Sequence, residues 1–277
     1  MILVTGATGN VGTCLVRQLV AAGERVRAIN RNPETAQLPP GVEVLYGDLT
    51  SPDTLAPAFD GIQRMFFFTP AAGGPAVVEA ARKGGVRRVV VLSSTVTQKA
   101  DPRSNPIAAR HDAVERAVQA SGMAWTLLRP DTFAANALAW APSIRSESVV
   151  RAAYALAQRN PVHEDDIAAV ASAALRDDRH VGACYTLTGP ASITQIEQAN
   201  MIGEAIGREV RFEELTHEQA LVQLLKTTPA GIAERLLAYA EKSVTTAPAL
   251  TRHVEQVTGR PARSFLEWAK DHAAAFR

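Results

Sequence analysis

The segment Ile2-Leu3-Val4-Thr5-Gly6-Ala7-Thr8-Gly9-Asn10-Val11-Gly12 constrains this chain more than any other. Three apolar residues run straight into a turn with glycines at every third place. Val11, Leu15 and Leu19 then recur at i, i+4 and i+8, with Val16 and Val20 alongside. This is the pattern of a short strand, a tight turn and an amphipathic helix that ends near Gly23. Such a strand is buried only when parallel neighbours flank it, so the start of the chain already calls for an α/β fold. Gly6 permits the tight turn, Gly9 lets the backbone come close to an anion, and Gly12 lets the helix pack near its strand. Backbone N–H groups at the positive end of the helix dipole suit a pyrophosphate. Gly6, Thr8, Gly9, Asn10, Val11 and Gly12 are therefore expected to bind a dinucleotide.

Further apolar runs repeat the unit: Val26–Ile29, Val42–Tyr46, Met65–Phe68, Val89–Leu92 and Trp125–Leu128 read as strands separated by stretches of helical spacing. Asn105-Pro106 reads as an N-cap followed by proline at the first helical position, opening a helix to about Gly122. Beyond Pro130 the pattern turns mainly helical, with strand candidates only at Cys184–Leu187 and Val210–Phe212 and capping-box spacings at Thr194, Thr216 and Ser264. The expected architecture is a doubly wound parallel Rossmann sheet over residues 1–150, with later strands from about 160–188 returning to it. Residues 189–277 are expected to form a smaller, mainly helical lobe for substrate.

Composition narrows the function classes. The 277 residues carry 29 Lys and Arg against 28 Asp and Glu, with no basic block, so no nucleic acid partner is expected. The two cysteines, Cys14 and Cys184, lie far apart without ligand spacing, which points to no metal site and to a reducing cytoplasm. Charged residues interrupt every apolar stretch before it reaches membrane-spanning length, and no secretory segment is read at the start.

The second strand ends in Ala28-Ile29-Asn30-Arg31-Asn32. No carboxylate stands there to bond a ribose 2′-hydroxyl, whereas the guanidinium of Arg31 suits a 2′-phosphate, so NADPH is favoured over NADH. A solvated surface arginine is the plainer alternative. Asp48 and Leu49 end the third strand where an adenine would lie, although Asp48 equally suits turn capping. Ligands in open α/β sheets sit beyond the carboxyl ends of the strands, which places Phe68, Thr69, Ser93 and Pro130 at the nicotinamide end, with Phe133 and Asn136 facing substrate. In the run Phe66-Phe67-Phe68 two rings must pack inward, leaving Phe68 for the cofactor.

The ordered set Arg88-Val89-Val90-Val91-Leu92-Ser93-Ser94, His111-x-x-x-Glu115, Met123-Ala124-Trp125-Thr126-Leu127-Leu128-Arg129-Pro130 and Pro161-Val162-His163-Glu164-Asp165-Asp166-Ile167 resembles the NmrA-like group of atypical short-chain dehydrogenases/reductases. The resemblance covers most of residues 1–210. Ordinary members of that superfamily use Tyr-x-x-x-Lys to protonate a carbonyl, but the residues four places after the tyrosines here are Thr50, Gln158, Gly189 and Ser243. The Tyr and Lys places hold Ile107 and His111. The resemblance implies NADPH-dependent reduction of a quinone-like or enone-like small molecule, with His111 orienting the nicotinamide or supplying a proton and Ser93 bonding a carbonyl. His111 could instead simply pair with Glu115 one helical turn on. Two other readings stand beside it: a dinucleotide-sensing regulator that signals to a protein partner, and a small-molecule isomerase or cyclase on the same fold. A homodimer is compatible with each of them. The loop Ala71–Ala76 is shorter than the resemblance leads one to expect.

Overall fold

A computed structural model describes residues 1–277. Strands β1 (Ile2–Val4), β2 (Val26–Asn30), β3 (Glu43–Tyr46), β4 (Arg64–Phe68), β5 (Arg88–Leu92) and β6 (Ala124–Pro130) join one parallel sheet. Strands β7 (Val149–Ala152) and β8 (Gln158–Arg159) lie outside it, and β9 (Ala183–Leu187) returns to pair with β6. The order β3-β2-β1-β4-β5-β6-β9 reverses direction between β1 and β4, the switch point at which such sheets hold their ligands. The doubly wound Rossmann sheet expected from the sequence is thus the observed one.

Why these residues form a two-faced sheet is visible in the burial. Met65 and Phe67 on β4 and Val89 and Val91 on β5 enter one core with Leu3, Leu55, Phe59, Val77, Val114 and Leu127. The alternate residues Phe66 and Val90 are buried as well, as a parallel sheet covered on both faces requires. Gly74 opens the helix Gly74–Lys83 because a Cβ there would lie 2.4 Å from a methyl of Val114, so the two helices on this face meet closely. Asn105 caps the helix Pro106–Ala120 by accepting the N–H groups of Ile107 and Ala108.

The chain divides into two compact units. The first comprises residues 1–131, 164–187 and 253–260. Within it the helix Asn10–Ala21 packs on Glu164–Arg176, tied by Arg17 to Asp165 at 2.6 Å. Cys14 sits in that contact, its thiol pushed up to about 12 chiefly by burial and then by Asp165, so it stays protonated and inert.

The second unit comprises residues 132–163, 188–252 and 261–277. Here β7 pairs in parallel with β11 (Arg211–Glu214), and β8 pairs antiparallel with β10 (Ile193–Thr194). Thr194, Thr216 and Ser264 each close the reciprocal capping box that their spacing predicts. The division differs from the sequence boundaries of 150 and 189. Residues 132–163 belong to the second unit because β7 and β8 find their strand partners there. Residues 253–260 rejoin the first, where His253 Nδ1 lies 2.9 Å from the Thr186 carbonyl oxygen.

Candidate cofactor and substrate sites

The glycine turn leaves β1 at the switch point. Thr5 ties the two central strands there: its N–H donates to the Phe66 carbonyl at 3.1 Å, and its hydroxyl accepts the Phe68 N–H at 2.7 Å. Gly6 adopts φ +63°, and a Cβ on it would stand 3.1 Å from Cβ of Phe68. A Cβ on Gly12 would lie 2.0 Å from the Gly6 carbonyl oxygen, so any side chain would push the helix off the turn. Gly9 occupies the N-cap position without a side-chain cap, no acid stands in the first turn, and the first helical bond is Thr13 N–H to Gly9 O at 2.9 Å. The amides of Asn10, Val11 and Gly12 thus precede the helical ladder, an uncapped positive end open to an anion. These residues fit the pyrophosphate of a nicotinamide dinucleotide. Val11 can contribute only its backbone, since its side chain is buried.

At the end of β2, the Asn30 side-chain amide donates to the Thr8 hydroxyl at 3.3 Å, which fastens that strand end to the turn. Arg31 follows, exposed to solvent. Asp48 accepts the N–H and hydroxyl of Thr50 at 2.9 and 2.8 Å on one oxygen, and these bonds, with the charge of Arg31 as a lesser cause, hold its carboxyl below the usual range. Asp48 is therefore a turn-capping carboxylate with its second oxygen left for a ligand. Leu49 packs on the sheet core. Of the three phenylalanines on β4, Phe66 and Phe67 are buried, whereas Phe68 is 46% exposed against Gly6. Thr69 is buried and donates to the Leu92 carbonyl at 3.0 Å, and the Pro130 carbonyl accepts the Thr95 N–H at 3.1 Å. Both shape strand ends and have these groups already engaged.

Ser93 and His111 stand differently from the sequence expectation. The Ser93 hydroxyl donates to Glu115 at 2.5 Å, and Arg129 grips the same carboxylate through Nε at 3.0 Å and Nη2 at 2.5 Å. Glu115 is 5% exposed, so this is a buried, bidentate ion pair that locks the helix Pro106–Ala120 onto the ends of β5 and β6. Glu115 does not pair with His111. The imidazole is 8% exposed, and burial, followed by the charge of Arg110, lowers its pKa to about 4 against the opposing pull of Glu115. At neutral pH the ring is neutral, and its Nδ1 is buried without a hydrogen-bond partner. A group with these properties can accept or donate one hydrogen bond, but as an imidazolium acid it is absent at neutral pH.

In the second unit, Phe133 and Asn136 line a cavity of about 140 Å³ with Trp140, Arg159, Gln195 and Gln198. The last two residues sit on the helix Gln195–Ile206 at i, i+3 and therefore share a face. Sequence reasoning missed Arg159, Gln195 and Gln198, and that spacing was the available signal.

The family model for NAD(P)H-binding proteins matches residues 6–178. The chain belongs to that family. Over its full length it is 41% identical, across 281 residues and 99% of the relative, to the (4-alkanoyl-5-oxo-2,5-dihydrofuran-3-yl)methyl phosphate reductase of Streptomyces griseus. It is 35% identical to the NAD(P)H azoreductase of Xenophilus azovorans, over all of this chain and 99% of that one. Among solved structures, the NADPH-dependent quinone oxidoreductase QOR2 of Escherichia coli superposes with a TM-score of 0.81 at 25% identity, covering 98% of this chain and 99% of its own. Membership in the NAD(P)H-binding family agrees with the open helix start at Gly9–Gly12, and the named relatives are reductases.

Proposed function

We propose that this chain catalyses NADPH-dependent reduction of an activated C=C or quinone in a small molecule, without a tyrosine acid. The observation that carries this reading is that the candidate proton donors are committed elsewhere: His111 is buried and neutral, the Ser93 hydroxyl donates to Glu115, and no tyrosine in the sequence has a lysine four places on. A simple ketone needs an acid at the carbonyl oxygen, because hydride addition leaves a localised alkoxide. A conjugated enone or quinone delocalises that charge over its carbonyl oxygens, so water can protonate the anion afterwards. The compound named for the Streptomyces relative is itself of this class, a ring alkene bearing an alkanoyl group beside a ring carbonyl.

When bound, NADPH supplies the hydride, which adds to the electron-poor carbon of the acceptor. The amides of Asn10–Gly12 would hold the pyrophosphate, Arg31 the 2′-phosphate and Asp48 the adenine amine. Phe68 covers the ring end of the cofactor site. His111 would orient the nicotinamide carboxamide, and the Ser93–Glu115–Arg129 group positions the helix that carries His111. Phe133 and Asn136 contact substrate.

The test is NADPH oxidation by purified protein against a panel of quinones, cyclic enones and unconjugated ketones. Multiple turnover with the first two and none with the third is expected. Tight NADPH binding without turnover of any acceptor would replace this reading with a dinucleotide sensor.

A further inference from the structure

The second unit contains more empty space than packing needs, and the space is graded in polarity. A cavity of about 680 Å³ lies along β7 and the helical pair His217–Leu224 and Ala230–Thr245, within the size range of small-ligand sites. Its walls join an apolar side, with Leu215, Leu224, Leu236 and Leu237, to a polar side that carries Arg151 and Lys226. The buried cluster beneath this helical pair is small: Ala153, Ala220 and Leu237, with Tyr154, Leu215, Leu221 and Leu224 packed against it. Leu236 remains 48% exposed, and Val222 and Leu225 on the same pair are exposed at 63% and 46%. Apolar side chains around a void forgo contacts that a hydrocarbon would restore.

The smaller cavity shares Trp140, Arg159 and Gln195 with the larger one. Into it faces Gln198, 6% exposed, whose amide nitrogen is buried with no acceptor. A buried amide donor without an acceptor calls for an oxygen. Its surroundings are built rather than loose. The Gln195 amide donates to the carbonyls of Ala153 and Tyr154, both at 2.8 Å, which fixes the wall at Ala153. Arg159 donates to the Gln158 carbonyl and the Ser243 hydroxyl, and its guanidinium lies 4.5 Å over the Tyr239 ring.

We propose that this pair of cavities is an acyl-binding pocket, taking the carbonyl oxygen of an acyl group on Gln198 and its alkyl chain along the leucines. A purely polar ligand would leave the leucine side of the larger cavity uncovered, and a hydrocarbon would leave the Gln198 amide unpaired. An acyl compound satisfies both. An acceptor bearing an alkanoyl chain is the substrate class of the proposed reductase that such a pocket would select. That last step rests on the reductase reading, but the binding itself does not.

The experiment uses the full chain. Calorimetric titration compares butanone with methyl octyl ketone in the absence of NADPH, and NADPH oxidation compares acetylbenzoquinone with decanoylbenzoquinone. Each buried methylene contributes about fourfold in affinity, so the longer ketone should bind more than about tenfold tighter. Leu236→Trp and Ala220→Phe fill the larger cavity and should abolish that increment, with thermal unfolding checking that each variant folds. Because Leu236 is half exposed, its variant remains informative if the other one does not fold. Gln198→Leu should weaken both ketones about tenfold while leaving the increment intact. Equal affinity for the two ketones overturns the proposal, and so does an increment that survives in a folded cavity-filling variant. An unaffected Gln198→Leu would mean that Gln198 meets only water. If the increment stands but neither quinone is reduced, the reductase reading falls and the pocket remains. Turnover of both quinones at equal KM, with no ketone increment, removes the pocket and leaves the reductase.

Discussion

The two units bury apolar side chains to different degrees of completeness. On one face of the parallel sheet, eighteen buried residues form one continuous core in which only Ala58 and Ala81 are alanines. The main core of the second unit has fourteen, of which Ala134, Ala135, Ala137, Ala141, Ala199 and Ala269 are alanines, and a separate core of three sits beside the large cavity. Large β-branched and aromatic side chains fill the space between strands and helices, whereas alanine lets backbones approach while contributing little apolar area. The first unit is thus built to hold one geometry for a cofactor that never changes. The second keeps room that a few substitutions could reshape around another substrate, which is where a family of reductases with different acceptors needs its variation.

The same substitution made in both cores breaks or sustains this contrast most sharply. Leu127→Ala on β6 removes a fully buried side chain from a packed core and should destabilise by about 4 kcal/mol. Leu237→Ala borders a cavity that already exists, so fewer contacts are lost, and about 2 kcal/mol is expected. Urea unfolding followed by circular dichroism measures both. Equal losses would mean that the second unit is as tightly packed as the first.

Glu115→Gln probes the polar lock of the first unit. It leaves the Arg129 guanidinium, with its side chain only 17% exposed, facing a neutral amide and should cost about 3 kcal/mol. The kcat of NADPH oxidation would fall too, with little change in NADPH affinity, if the lock positions His111. A variant as stable as the parent would show that the pair does no more than offset its own desolvation.

How much of this could be read from residues alone follows from how local each cause is. The strands, the glycine turn, the Asn105 cap and the three capping boxes were legible because each depends on residues within one or two turns of each other. The His111–Glu115 spacing misled for the complementary reason: i, i+4 neighbours are free to pair, but Ser93 and Arg129 arrive from β5 and β6 and take the carboxylate. Gln198 reads in sequence as an ordinary helix-surface amide, and only tertiary packing buries it. The unit boundary was displaced because the strand partners of β7 and β8 are some 35 to 60 residues away along the chain.

A weaker effect separates stability from chemistry at His111. In the folded chain the ring stays neutral down to about pH 4, whereas in the unfolded chain it titrates near 6.5. The unfolded state therefore binds the proton first. The contribution of the neutral ring is fully present above pH 6.5 and is lost as pH falls from there towards 4. Its size is about 2 kcal/mol after allowance for partial solvent access. His111→Phe should flatten this part of the stability profile in acid and, if Nδ1 orients the cofactor, lower kcat at neutral pH with little change in NADPH affinity. An unchanged kcat would leave His111 as a packing residue.

The smallest effect bears on the rim of the first unit, at the strand end to which the sequence assigns the choice of cofactor. Arg31 is exposed, follows directly on the strand end that Asn30 fastens to Thr8, and its charge acts on Asp48. A 2′-phosphate beside it would gain a charge-assisted hydrogen bond, weakened by solvent at so open a site, of about 1.5 kcal/mol or roughly tenfold in affinity. NADH has no such phosphate. Arg31→Ala should therefore raise the Kd of NADPH about tenfold and leave that of NADH nearly unchanged, read by fluorescence titration of both cofactors. Raising ionic strength should shrink the NADPH preference of the parent protein in the same direction, because an exposed ion pair is screened whereas the backbone amides of the turn are not. An equal loss for both cofactors would assign Arg31 to the shape of the loop, and the choice between NADPH and NADH would then have to come from Asn30, Asn32 and the backbone around them.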